Sequence, residues 1–314
     1  MSNTEFGFIS SVSRLFADIP RGGFDAIGDD CTCIGIGGGE SLVISTDMLV
    51  ENVHFLRDAS SPYELGCKSL LVNLSDVAAM GARPAASLLS LSLPRDATGV
   101  WAEEFMRGYH DISKRWGVAL VGGDTTSSEG GIAINVVALG RCPTESVKRR
   151  SAAVPGDAIC VTGRLGASAA GLRDILAGRE DTDYARCHRL GRARVDEGAW
   201  LGGRAEVHAM MDISDGIASD LRHIMECSGV GAEVHTECIP TDVDVETAVC
   251  GGEDYELLLT VDAGCCDKLR EDYHARFGDE LHVIGRIVGS ADGRIVWLDN
   301  GRRIAPDWRG FEHY

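Results

Sequence analysis

The sequence predicts an α/β protein built as two domains. Apolar runs of strand length alternate along it with segments of helical period. Its 314 residues, 44% hydrophobic and 25% charged, are enough for two cores or one large one. Composition turns polar over residues 140–156, where the basic run Lys148-Arg149-Arg150 precedes Pro155-Gly156-Asp157. That stretch sets the expected boundary, with an N-terminal domain over 1–145 and a C-terminal domain over 146–314.

Taken in order, residues 6–16 suit a short amphipathic helix and 20–28 a loop. Residues 31–36 and 41–46 read as two strands of a hairpin, turned by Gly37, Gly38 and Gly39. No Gly-Lys-Ser/Thr follows those glycines, so they read as a turn and not a phosphate loop. Residues 61–79 read as a helix, with Pro62 near its start, Glu64 in the first turn and a stop at Gly81 and Pro84. Leu70, Leu71, Leu74, Val77, Ala78 and Met80 recur there at helical spacing, which marks the helix as buried. Residues 85–93 alternate as a strand, 101–116 form a long amphipathic helix, and 117–122 and 132–139 are further strands. In the second half, strands are expected over 158–162, 231–235, 256–261, 282–287 and 294–298. Helices are expected over 168–176 and 217–228, and 180–203 is polar and then helical. Asp299-Asn300-Gly301 is a turn signal. The aromatic end, DWRGFEHY over 307–314, is expected to dock.

Acidic residues fall where apolar sequence surrounds them. Asp76 interrupts KSLLVNLSDVAAMGARP (68–84), and four further clusters read IGDDC, ISTDML, VGGDTT and MDISDG. A buried carboxylate is costly unless it is paired. Asp47 and Asp124 are expected at strand ends and Asp215 just past one, where α/β proteins build their sites. Singly, each has an ordinary reading: Asp76 as a partly exposed helix residue, Asp215 as a helix cap, Glu253 and Asp254 as turn residues. Together, carboxylates converging without Lys or Arg repel one another, and divalent cations relieve that. Ligands that are all oxygen favour magnesium, held by a few carboxylates plus substrate phosphates. The expectation is therefore a phosphate-handling enzyme with several magnesium ions. Gly122 and Gly123 allow close backbone approach to a ligand. His54, just past Asp47, is as readily structural as functional. Arg150 ends one of few basic clusters in the chain and is a candidate phosphate clamp, although such a run is ordinarily a solvated face.

The net charge of −18 argues against non-specific binding to nucleic acid or to an anionic membrane. It leaves an anionic substrate open, because metal ions reverse the local potential. The 11 cysteines form no CxxC pair, so reduced thiols in a cytoplasmic protein are expected. The first residues lack a basic segment followed by an apolar core, and no apolar run reaches membrane-spanning length.

Seven strings in order resemble the thiamine-monophosphate kinase family: GDDC (28–31), ISTDMLVENVHF (44–55), KSLLVNLSDVAAMGARP (68–84), LVGGDTT (120–126), DISDG (212–216), GGEDYEL (251–257) and DWRGFEHY (307–314). The resemblance extends almost from end to end. It implies a two-domain α/β (α+β) fold like that of aminoimidazole ribonucleotide synthetase, whose N-terminal sheet pairs with its twin in a homodimer. It implies transfer of the γ-phosphoryl group of ATP, in line, to thiamine monophosphate. Carried over by motif, Asp30, Ser45, Thr46, Asp47, Asp76, Asp124, Asp212 and Asp215 would supply the magnesium shell, with Asp29 assisting. Of these, Asp47, Asp76, Asp124 and Asp215 would carry catalysis. Gly123, Asp124, Arg150, Ser214 and Tyr109 would contact ATP. His54, Glu253 and Trp308 would hold thiamine monophosphate, Trp308 through its ring face against the thiazolium.

The segment HRLGRARVDEG (188–198) departs from the Pro-containing text common in that family. The alternatives are another ATP-dependent enzyme of the same superfamily, or a non-catalytic nucleotide-binding regulator. The first would show a reactive Cys with a nearby Lys early in the chain, a C-terminal Cys, or a different string in place of STDMLVENVHF. The second needs fewer acidic clusters than the five present.

Overall fold

Two sheets order the chain. The computed structural model describes residues 5–289 and 294–311. The first half runs α1 (Glu5–Leu15), β1 (Thr32–Gly37), β2 (Glu40–Val50), α2 (Pro62–Ala79), β3 (Arg83–Leu93), α3 (Val100–Trp116), β4 (Ala119–Ser127) and β5 (Ala133–Pro143). Its five strands lie in the order β1-β2-β5-β3-β4. Among the described residues of this sheet, only β3 and β4 pair in parallel.

The second half runs β6 (Ala158–Thr162), α4 (Ala167–Leu176), α5 (Asp183–Leu190), α6 (Val195–Gly202), β7 (Val207–Asp212), α7 (Ile217–Ser228), β8 (Gly231–His235), α8 (Val245–Cys250), β9 (Leu257–Val261), α9 (Cys266–Phe277), β10 (Leu281–Val288), β11 (Ile295–Asp299) and β12 (Arg302–Ile304). These strands lie in the order β12-β11-β8-β10-β6-β9-β7. Residues 188–198, which depart from family text, close α5 and open α6.

Helix α2 is the hub. Ser61 caps it through a reciprocal pair: its hydroxyl accepts from the Glu64 amide, and the Glu64 carboxylate accepts from the Ser61 amide. The helix is buried almost all round. It packs on α3 where glycines let the backbones touch: a Cβ on Gly66 would lie 2.0 Å from the Phe105 carbonyl oxygen. A Cβ on Gly198 of α6 would lie 2.3 Å from the Ala78 carbonyl oxygen. So α2 belongs to the first core yet is gripped by the second half.

Two strands run past their expected ends. β2 continues through Asp47 to Val50 because β5 pairs with it residue by residue, Asp47 opposite Val136. β4 continues through Asp124 to Ser127, with Asp124 opposite Ser90 of β3. The expectation that Asp47 and Asp124 sit at strand ends is therefore corrected: both lie inside strands, held there by partners distant in sequence. Asp215 follows the end of β7, as expected, in the turn before α7.

The tail docks as far as it is described. Trp308 meets Trp297 edge to face at 5.0 Å, Arg222 donates to the Trp308 carbonyl, and the Phe311 amide donates to the Asp215 carbonyl at 3.0 Å. The last three residues of the expected docking string lie outside the described residues.

Candidate active site

A cavity of about 410 Å³ opens between the two halves. β2 and the turn after it, α2, α4, the turn after β7 and the segment before β9 all reach it. Lys68, Val72 and Asp76 line it from α2 at four-residue spacing, one stripe of the helix.

One end is acidic. Carboxylate oxygens of Asp30, Asp76 and Asp212 lie within 4.8 Å of one another. Serine hydroxyls from neighbouring elements hold them: Ser45 of β2 donates to Asp76, and Ser75 of α2 donates to Asp212 at 2.5 Å. Arg150 pairs with Asp30 at 2.6 Å while its amide donates to Asp29. Asp47 stands beside them, its amide bonded to the Asn73 side chain. Burial, reinforced by the neighbouring carboxylates, pushes Asp76 well up. Burial and then Asp30 push Asp47 up to about 6 and Asp212 up to about 8. One guanidinium does not balance this set. Oxygen donors alone, crowded and desolvated, fit a hard divalent cation such as magnesium.

The turn carrying Ser214 and Asp215 is fixed from below. Buried Asp220 accepts from the amides of Asp215 and Gly216 at 3.2 and 2.9 Å. Ser214 and Asp215 both line the cavity.

The other end is apolar, with Phe55, Leu56, Leu172, Ile175, Leu176 and Phe311 on its walls. His54 lines it too, its Nδ1 accepting from the Val50 amide at 3.0 Å. Glu253 closes it, bound to Lys68 at 2.9 Å and to His188 at 3.2 Å.

Of the residues singled out in the sequence, the structure gathers Asp30, Ser45, Asp47, Asp76, Arg150, Asp212, Ser214, Asp215, His54 and Glu253 around this cavity. The others lie elsewhere. Thr46 is exposed on the sheet face opposite Ser45 and Asp47, as strand alternation requires, and its hydroxyl accepts from Asn135. Gly123 and Asp124 line a second cavity of about 340 Å³ with Leu89, Leu91 and Met106. Tyr109 is buried in the first core, its hydroxyl donating to Ser87 at 2.8 Å, and lines neither cavity. Trp308 packs on Trp297, and it is Phe311 of the same tail that lines the cavity.

Sequence reasoning passed over Lys68, His188 and Asp220. Lys68 had a signal: a lysine on the same stripe of a buried helix as Val72 and Asp76.

Comparison with known proteins identifies the family and the fold. Residues 28–142 match the AIR synthase related protein, N-terminal domain, and residues 154–298 its C-terminal domain. The chain is 35% identical over 330 residues to the thiamine-monophosphate kinase of Escherichia coli K12, covering 98% of each. To that of Bacillus subtilis 168 it is 32% identical over 307 residues, covering 92% of this chain and 93% of the other. In three dimensions it matches AaThiL complexed with AMPPCP and TMP, with a TM-score of 0.83 and 30% identity, over 99% of this chain and 97% of that one.

Proposed function

The chain belongs to the thiamine-monophosphate kinase family, and we propose that it transfers the γ-phosphoryl group of ATP to thiamine monophosphate, in line, giving thiamine diphosphate and ADP. One observation carries the reading: a single cavity pairs a cluster of buried carboxylates with an apolar end closed by Glu253. A structural relative solved with AMPPCP and TMP supports it.

The acceptor is a phosphate monoester, already largely anionic near neutral pH, so no strong general base is required. The task left to the protein is positioning and charge control. Asp30, Asp76 and Asp212, with Asp47 and Asp215 beside them, would hold the magnesium ions. Bound there, magnesium would offset the repulsion between the two phosphate groups. The serines at 45 and 75 orient the carboxylates, and Asp220 sets the turn from which Ser214 and Asp215 face the cavity. Arg150 would reach nucleotide phosphate from its place on Asp30. Phe55, Leu56 and Leu172 exclude water around the ring system, with His54 and Phe311 completing the pocket for it.

The metal roles of Thr46 and Asp124 and the nucleotide roles of Gly123 and Asp124 belong to a homodimer in this proposal; Tyr109, buried on Ser87, has no part in it. Support comes from β4, an edge strand exposed along its whole length, and from exposed Ile36, Met48, Leu88, Leu120 and Val121 in the same sheet. The proposed domains are 1–145 and 146–314, and the proposed location is the cytoplasm. Among the described residues no helix is long and apolar enough to cross a membrane.

Phosphorus NMR of the protein with ATP, magnesium and thiamine monophosphate tests the reading. Thiamine diphosphate with one ADP per product is expected. Release of inorganic phosphate without thiamine diphosphate, or nucleotide binding without turnover, would overturn it.

A further inference from the structure

The apolar end of the cavity contains a buried ion pair. The Lys68 ammonium lies 2.9 Å from one Glu253 oxygen and 3.0 Å from the other. Its side chain is 3% exposed, against 25% for Glu253, and Gly191 packs against its stem. Glu253 is held firmly. Its backbone is in the left-handed region at φ 63°, an uncommon place for a non-glycine. Its amide donates to the Ser214 carbonyl at 2.7 Å. His188 Nδ1 lies 3.2 Å from Glu253 Oε2, and 3.0 Å from the hydroxyl of Ser168. Burial first, and then Lys68, push His188 down to about 4, so it is neutral near pH 7 and adds no charge. The next charges along this wall also pair off, Arg189 with Glu64 at 3.1 Å.

The Lys68–Glu253 pair is therefore neutral as a whole. Each carboxylate oxygen accepts about two hydrogen bonds, and lone pairs of Glu253 not taken by Lys68 remain to face a ligand. Such a group reads N–H donors. It attracts a cation only weakly, because its charge is already compensated at under 3.5 Å.

Resting on the function proposed above, we propose that Glu253 recognises the substrate's ring amine as a hydrogen-bond acceptor, and not its thiazolium as a counter-ion, with Lys68 the positioning residue that compensates the carboxylate and fixes its orientation. The ring cation then contributes little to selection at this end, and the amine contributes much.

Steady-state kinetics on three substrates tests this: thiamine monophosphate, the analogue whose ring amine is replaced by an oxo group, and the analogue whose five-membered ring is uncharged. With the native enzyme the oxo analogue should lose about tenfold or more in kcat/KM, because its oxygen, an acceptor, would face the carboxylate where a donor is required. The uncharged-ring analogue should stay within about threefold. Lys68→Met should raise KM for thiamine monophosphate about tenfold and leave KM for ATP within about twofold. It should also create a new preference for the charged ring, since Glu253 is then uncompensated. Lys68→Arg should restore the native order of substrates. Loss of the uncharged-ring analogue by about tenfold in the native enzyme, with the oxo analogue tolerated, would overturn the proposal. So would equal rises in both KM values in a folded Lys68→Met. If the native protein makes no thiamine diphosphate, the proposed function falls; calorimetric binding of the same three ligands then decides this proposal on the same order of preference.

Discussion

Ser75 donates its hydroxyl hydrogen to Asp212 at 2.5 Å, across 137 residues of chain. The bond ties the C-terminal half of α2 to the end of β7 and so joins the first core to the second sheet at the acidic end of the cavity. Every carboxylate of that cluster is positioned in this way, by a partner from another element.

Asp76→Asn should therefore separate function from folding. It removes the negative charge that would face bound magnesium, and retains an oxygen to accept from Ser45. Turnover should fall about a hundredfold or more, since magnesium loses an anionic ligand. The metal-free melting temperature should stay level or rise. Phosphorus NMR and a thermal melt check this, and near-normal turnover would refute it.

Stability without metal should depend on pH with a definite sign. Asp47 at about 6, Asp212 at about 8 and Asp76 well above its ordinary value all bind protons more tightly folded than unfolded. From about pH 4 to about pH 8 the native state thus holds more protons, and stability declines as pH rises. Each kcal/mol lost lowers the melting temperature by roughly 2–4 °C in a domain of this size. Melts between pH 5 and 8, with and without magnesium, should show a fall in its absence and a largely restored value at pH 8 in its presence. A metal-free melting temperature that climbs with pH would contradict the assignment.

Asp220→Ala leaves the amides of Asp215 and Gly216 without their buried acceptor. A loss of about 1–3 kcal/mol is expected, together with reduced turnover because the Ser214–Asp215 turn is no longer fixed. Asp220→Asn keeps an acceptor oxygen and should recover most of both. Urea titration and kcat, compared across the two variants, test the role.

Trp308 and Phe311 should divide their effects. Trp308→Ala removes the edge contact to Trp297 and should destabilise by about 2 kcal/mol, loosening the tail. Phe311→Ala removes a cavity wall and should raise KM for thiamine monophosphate about tenfold at little cost in stability. A larger KM effect from Trp308→Ala, with an unchanged melt, would place the Trp308 ring against the substrate itself.

Gly66→Ala should force α2 and α3 apart, because its Cβ would meet the Phe105 carbonyl at 2.0 Å. A loss of about 3 kcal/mol is expected and can be read by denaturant titration. Wild-type stability would mean that the helix pair tolerates separation.

The sequence by itself determined what local signals reach. The capped and stopped helix α2, the glycine hairpin between β1 and β2, helix α7 and strand β8 followed from periodicity and turn residues within a few positions. The acidic clusters announced a metal-dependent phosphate site because apolar surroundings make carboxylates costly wherever the chain later takes them. Tertiary structure decided what depends on distant partners. Pairing with β5 and β3 placed Asp47 and Asp124 inside strands. Strand alternation then turned Thr46 away from its neighbour. Core packing took Tyr109 inward to Ser87. Lys68 and Glu253 meet across 185 residues, and no local pattern carries that information. An ion pair is fixed by where two segments cross, and that crossing is set by the packing of whole helices and sheets.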